Sequence, residues 1–221
     1  MICAISLKRI PQDPAETHNS TIGETMTQPR ARIAVNYSTH LMKLMEQRPE
    51  LVVKVNDWNS IGITQDVLRR FPRAEFLVHL TLALASRTTV NQSGKLWEEL
   101  KILVPMTHTP YLSAHIAFNC HVDYTLEGKW IFGERLTEDE QIENTKRNVA
   151  ILREAFGLEV LLENQTNVYG GTIIPPSIQG CTAPLFMARA LEATGCPMLL
   201  DLAHARVNAA FLCLDCIGIG R

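Results

Sequence analysis

Long apolar runs, a strong charge of either sign and a dense set of cysteines are all absent from this 221-residue chain. A membrane-spanning helix needs roughly 20 consecutive apolar residues, so the sequence predicts no such helix. The 21 basic and 23 acidic side chains give a formal net charge of −2, which offers no electrostatic basis for binding nucleic acid or an acidic membrane surface. Six cysteines are too few for a disulfide scaffold and are typical of reduced thiols. We therefore expect a soluble cytoplasmic protein.

Two short motifs are incomplete. Cys213 and Cys216 form a C-x-x-C, but no second pair accompanies them, so a zinc or redox site is not indicated. The segment around Gly170 and Gly171 lacks both glycine-rich phosphate-binding patterns. It is better interpreted as a substrate lid or as an insertion without a function.

Apolar runs alternate with helical patterns along most of the chain. Between the runs, apolar residues recur at helical spacing, and the clearest such segment begins at the capping pair Thr137 and Glu140 and ends at Gly157. Strands with continuous apolar runs are buried on both faces, and this is typical of a parallel sheet covered by helices. The predicted strands are 32–37, 51–55, 75–80, 111–118, 158–164 and 197–203.

The predicted fold is α/β, a parallel (β/α) TIM-type barrel with about six of its eight strands. A complete barrel takes about 250 residues, whereas the tail 210–221 shows no pattern for a further helix and strand. We expect residues 1–30, which are rich in proline and polar residues, to be a disordered arm. Residues 31–221 then form the barrel domain, truncated before its last strands and left with two unpaired edges.

Four of the predicted strands end on side chains that bind metals. In a parallel barrel the carboxyl ends of the strands share one mouth, which carries the active site. Imidazole and carboxylate donors suit Fe, Mn or Zn. We expect Glu163, Asp201 and His204 to converge there, with His79 and His115 on the opposite wall.

Each of these residues, considered alone, can also be explained without a metal. A carboxylate at a strand end can cap a helix N-terminus or pair with an arginine, and a single histidine is more often a core or rim residue. The repetition at successive strand ends favours the metal site.

Several strings resemble a known family, the multinuclear non-haem iron-dependent oxidative enzymes, which includes the methanobactin-type oxazolone-forming enzyme. The resemblance covers about residues 75–210 and is carried by FLVHLTLALAS, YLSAHIAF, LLENQTN and ATGCPMLLDLAHARVNA. It implies that His79, His115, Glu163, Asp201 and His204 are iron ligands, with two or more irons in the family. The family's seventh and eighth strands, which bring further ligands, have no counterpart here.

The resemblance also implies a reaction and partners. The reaction is the oxidation of a peptide cysteine by dioxygen, on a precursor peptide presented by a separate partner protein. Asn164 and Asn208, close to the expected ligands, are the substrate-binding residues that we predict.

Two other hypotheses remain open. One is a divalent-metal barrel of the sugar isomerase or endonuclease type, which a lysine or histidine base beside the carboxylates would favour; the strand ends offer no lysine. The other is a non-catalytic remnant, which would purify without stoichiometric metal.

Overall fold

A computed structural model describes residues 2–5, 32–56, 60–87, 90, 92, 94–124, 130–166, 168–169, 172–173 and 183–216. In chain order the strands are β1 (Ile2–Ile5), β2 (Arg32–Asn36), β3 (Val52–Asn56), β4 (Glu75–Ala83), β5 (Tyr111–His115), β6 (Cys120–Tyr124), β7 (Trp130–Arg135), β8 (Glu159–Glu163), β9 (Val168–Tyr169), β10 (Thr172–Ile173) and β11 (Met198–Asp201). The helices are α1 (Thr39–Met45), α2 (Ser60–Arg70), α3 (Lys95–Thr107), α4 (Glu138–Phe156), α5 (Pro184–Thr194) and α6 (Leu202–Cys216).

The six predicted strands form one curled parallel sheet in the order β2-β3-β4-β5-β8-β11. A helix separates each strand from the next in this order. The architecture is therefore an incomplete α/β TIM-type barrel, as the alternation of apolar runs and helical segments predicted. Parallel neighbours need such long crossover connections, which place helices on the outside of the sheet.

Strand β1 bridges the two edges of this sheet, which corrects two expectations. Ile2–Ile5 pairs antiparallel with β2 on one side and with β11 on the other, so the ring of strands is closed. These four residues are thus not part of a disordered arm, and the sheet edges are not left unpaired. Edge N–H and C=O groups gain partners from any strand of suitable length. The rest of the expected arm, 6–30, lies outside the described residues.

Helices α4 and α5 begin and end at the capping residues that the sequence predicted. Thr137 and Glu140 form a capping box at the start of α4, and Gly157 ends it with a φ of +65°. Helix α5 begins with Pro184 in its first turn and ends at Gly195, whose φ is +64°. Left-handed backbone of this kind favours glycine because a Cβ would crowd the backbone of its own residue. Both helices are held at fixed lengths between consecutive parallel strands.

The C-terminal part of the chain differs from the prediction. Strand β11 ends at Asp201, and α6 begins directly after it and continues to Cys216. The tail that showed no helical pattern is therefore helical up to that residue. Of the helices in the described part of the chain, none is both long and apolar enough to cross a membrane.

Two antiparallel ribbons also escaped prediction, and both follow the carboxyl end of a barrel strand. Strands β6 and β7 form a hairpin after β5, and β9 and β10 form a short ribbon after β8. Gly133 lets the hairpin strands approach closely, because a Cβ there would lie 3.2 Å from the Cβ of His121. Both ribbons therefore stand on the side of the sheet where the mouth lies.

The core has an outer and an inner part. The larger cluster packs the helices against the outward residues of the strands, including Phe76, Leu112 and Leu162. A smaller cluster fills the interior of the barrel, and its members are Ala34, Val52, Leu77, Leu161 and Leu199, with Tyr111 packed against them. This inner layer is the floor on which the site is built.

Candidate metal centre

A polar layer lies directly above the apolar floor of the barrel. Side chains on a strand alternate between its two faces, so a step of two residues stays inside. That step leads from the floor residues to Asn36, Lys54, His79, Ser113, Glu163 and Asp201. A second step along β5 reaches His115. The carboxyl ends of six strands thus surround one buried polar space.

All five predicted metal ligands meet in this space. Donor atoms of His79, His115 and Glu163 lie within 4.8 Å of one another, and so do those of Glu163, Asp201 and His204. Each of the five is less than a tenth exposed. The two groups share Glu163, because β4, β5, β8 and β11 are neighbours in the sheet. His79 and His115 belong to one group, Asp201 and His204 belong to the other, and Glu163 is common to both.

Glu163 is completely buried between the other groups. Its Oε2 lies 3.1 Å from His79 Nδ1, and its Oε1 lies 3.3 Å from His115 Nε2. Burial alone would raise its pKa, but the nearby His79, His115 and Lys54 outweigh this effect and hold the pKa of Glu163 well below its usual range. Glu163 is therefore an anion at neutral pH and can serve as a ligand.

Asp201 and His204 are arranged by the start of α6. Asp201 Oδ1 accepts hydrogen bonds from the backbone N–H groups of Ala203 (2.8 Å) and His204 (3.0 Å), so it caps this helix. The helix-capping alternative is thus realised in part. Its second oxygen, Oδ2, lies 3.8 Å from His204 Nε2. One carboxylate can therefore cap the helix with one oxygen and bind a cation with the other.

Burial keeps His79 and His204 neutral, as metal binding requires. Burial lowers the pKa of His79 to about 3, and the charge of Lys54 contributes to that shift. Burial, and then His115, also lowers the pKa of His204. His204 Nδ1 lies 2.8 Å from the carbonyl oxygen of Asn164, which can only accept, so Nδ1 carries the proton. This leaves the lone pair on Nε2, the atom that faces Asp201.

Lys54 is the functional residue that the sequence reasoning missed. Its ammonium lies 2.7 Å from both oxygens of Glu163, and both side chains are almost fully buried. The statement that the strand ends offer no lysine was wrong. A signal was present, since Lys54 interrupts an otherwise β-branched strand and follows the floor residue Val52 by two positions. Ser113, whose Oγ lies 3.0 Å from His79 Nδ1, was also missed.

The amides near the site have distinct roles. Asn164 accepts from the N–H of Asp201 at 2.7 Å and donates to its carbonyl at 3.0 Å, which ties β8 to the end of β11. Asn208 donates to the carbonyl of Gln165 at 2.8 Å. Substrate binding by Asn164 and Asn208 stays a prediction. Gln165 itself is buried, and among the described residues its side-chain amide has no hydrogen-bond partner.

The donor set fits a divalent transition metal. Ligands of one ion at about 2.0–2.2 Å must lie within roughly 4.4 Å of one another, which is close to the spacing found. Three imidazoles and two carboxylates form a nitrogen and oxygen set of the kind that binds Fe, Mn or Zn. The side chains of Cys213 and Cys216, and the segment with Gly170 and Gly171, lie outside the described residues.

Comparison with known proteins identifies a family. The family model described as RiPP precursor modification enzyme MbnB/TglH/ChrH matches residues 36–217. No curated protein matches the chain. The matched range contains each of the five candidate ligands as well as Lys54, Ser113 and Asn164.

Proposed function

Because the chain belongs to the MbnB/TglH/ChrH family of RiPP precursor modification enzymes, we propose that it oxidises a cysteine of a precursor peptide with dioxygen at an iron centre. The observation that carries this proposal is the convergence of five buried donors in two groups that share Glu163. The sharing of one carboxylate by two groups of donors is not expected of side chains that serve only to cap helices or to fill the core.

The ligands of the iron would come from the two groups that share Glu163, whose members are His79, His115, Glu163, Asp201 and His204. When bound, ferrous iron supplies an open coordination position for a thiolate and for dioxygen and acts as a Lewis acid. The chain's own residues do the rest. Ser113 orients the ring of His79, the carbonyl of Asn164 fixes the proton of His204 on Nδ1, and the apolar floor below the donors excludes water.

A peptide substrate agrees with the surroundings of the mouth. The hairpin β6–β7 and the ribbon β9–β10 follow β5 and β8, the strands that end on His115 and Glu163. Strand edges of this kind bind extended peptides through their backbone groups. Gln165 adds a buried amide that can both donate and accept, which matches a peptide group. We propose that a partner protein presents the precursor peptide here.

The divalent-metal barrel of the sugar isomerase or endonuclease type is the second candidate. Lys54, beside the carboxylate of Glu163, is the base that this alternative requires. The family match favours the peptide, and the two candidates differ in their substrate, because only the first requires a thiol.

The test is anaerobic reconstitution with ferrous iron, followed by nitric oxide as a stand-in for dioxygen. The EPR spectrum of the nitric oxide adduct should change when a short peptide with one cysteine is added, because a thiolate would enter the coordination shell. The same peptide with serine is the control and should leave the spectrum unchanged. Equal responses to the two peptides would contradict thiol binding, and the absence of any adduct would contradict the iron site.

A further inference from the structure

Lys54 places a positive charge inside the ligand set. Its Nζ lies 2.7 Å from Oε1 and 2.7 Å from Oε2 of Glu163, so the ammonium bridges the carboxylate as a metal ion would. Only about 2% of its side chain is exposed, so water does not screen this charge appreciably. The shared ligand of the two donor groups is thus already bound to a cation.

The ammonium lies on the side of the centre that carries His79. Lys54 belongs to β3, the direct neighbour of the strand with His79, and the backbone register pairs Lys54 with Leu77. Asp201 ends β11 and His204 lies in the helix directly after it. In the order of the parallel strands, β11 is at the opposite end from β2 and β3. A cation bound by His79, His115 and Glu163 would therefore lie closer to Lys54 than one bound by Glu163, Asp201 and His204.

The ammonium occupies the ligand that a second ion would need. Both oxygens of Glu163 accept from Lys54 Nζ, and Glu163 is the carboxylate that the two donor groups share. The first group has no other carboxylate, whereas the second also contains Asp201. An ion bound by His79, His115 and Glu163 would therefore share its one carboxylate with the ammonium and lie next to a second cation, and like charges that are close together in a buried site repel each other strongly.

We propose that Lys54 takes the place of a second metal ion, so that this chain binds one divalent cation, at Glu163, Asp201 and His204. The inference rests on the proposed metal binding and specifies its stoichiometry and position. Lys54 acts through its bridge to both oxygens of Glu163. His79 and His115 then line the centre without binding the ion.

The test counts ferrous iron per chain by mass spectrometry after anaerobic loading and desalting. The unchanged chain and Lys54→Arg, which keeps the charge, should each hold one iron. Lys54→Met removes the charge at similar length and should raise the count to two. In the unchanged background, His79→Ala should keep one iron, whereas Asp201→Ala should lose it. In the Lys54→Met background, His79→Ala should lower the count from two to one.

Each result decides between the proposals. Two irons in the unchanged chain, or one iron in folded Lys54→Met, would overturn the inference and leave the proposed metal function intact. No iron in the unchanged chain and none in Lys54→Met would overturn the metal function itself. If Lys54→Met does not fold, the pair His79→Ala and Asp201→Ala decides, because loss of iron in His79→Ala contradicts the position proposed here.

Discussion

Glu163 shows which properties of a residue the sequence reveals. Its place at the end of one of four strands that end on metal-binding side chains predicted a ligand in a shared site. The predicted ligands do meet, because strand ends converge in a parallel barrel. The pairing of Glu163 with Lys54 was not predicted, since it joins residues 109 positions apart and depends on which face of β3 is turned inward. Long-range pairs of this kind follow from strand register, which a single sequence does not specify.

His79 should make the metal-free chain sensitive to acid. The pKa of His79 is about 6.5 when the side chain is exposed and about 3 in the folded chain. At any pH between these two pKa values, unfolding is therefore accompanied by the uptake of a proton. The contribution to stability is present above pH 6.5 and is lost as the pH falls toward 3. By linkage, the buried neutral His79 should lower the free energy of unfolding by about 1.4 kcal/mol at pH 5.5. This corresponds to a drop of about 3–5 °C in Tm.

Thermal melts at pH 7.5 and 5.5 check this expectation. His79→Gln should reduce the acid-induced drop in Tm by that amount. His40→Gln, at an exposed position of α1, should leave the drop unchanged. Equal drops in the unchanged chain and in His79→Gln would contradict the burial of a neutral imidazole.

We predict that the side chain of Gln165 lowers the stability of the peptide-free chain and strengthens peptide binding. A buried amide without partners costs about 1–3 kcal/mol, so Gln165→Leu should raise the Tm of the peptide-free chain and weaken binding of a cysteine peptide. Gln141→Leu is the matched control, because Gln141 is equally buried but donates to the carbonyls of Leu136 and Thr137. That variant should lower the Tm. A lower Tm for both variants would show that the amide of Gln165 is satisfied.

Helices and strands with strong local sequence patterns were predicted, whereas those with weak patterns were missed. The six parallel strands were predicted from their apolar runs, and α4 was predicted from its capping box and its terminal glycine. Strand β1 was missed because only four residues pair and no period precedes the polar segment after them. Its place between β2 and β11 is set by the unpaired edges of the sheet, which is a property of the whole ring.

Strand β1 should contribute measurably to stability. Ala4 pairs with Ile33 of β2 and with Leu200 of β11. Ala4→Pro removes a backbone donor from this ladder and should cost about 1–3 kcal/mol. Ala4→Ser keeps the N–H and is the control. Urea unfolding should show a lower midpoint for the proline variant alone. The original expectation of a disordered arm predicts identical midpoints.

In the described part of the chain, six parallel strands and the antiparallel β1 form a barrel whose polar layer gathers donors from four of the parallel strands. The chain belongs to a family of RiPP precursor modification enzymes, and its geometry brings together side chains that could hold a metal. The non-catalytic remnant remains the opposing account, and it differs in one property. A remnant has no reason to keep two groups of donors around one shared carboxylate and would purify without stoichiometric metal.

The central claim is tested most directly by the affinity of the intact chain for ferrous iron, measured anaerobically by calorimetry. We predict stoichiometric binding that Glu163→Ala and Asp201→Ala each weaken by more than about 100-fold, because each loses a bond and a compensating charge. Glu159→Gln, on the same strand as Glu163 but at its other end and paired with Arg153, should bind as the unchanged chain does. Binding that survives both alanine substitutions would contradict the account.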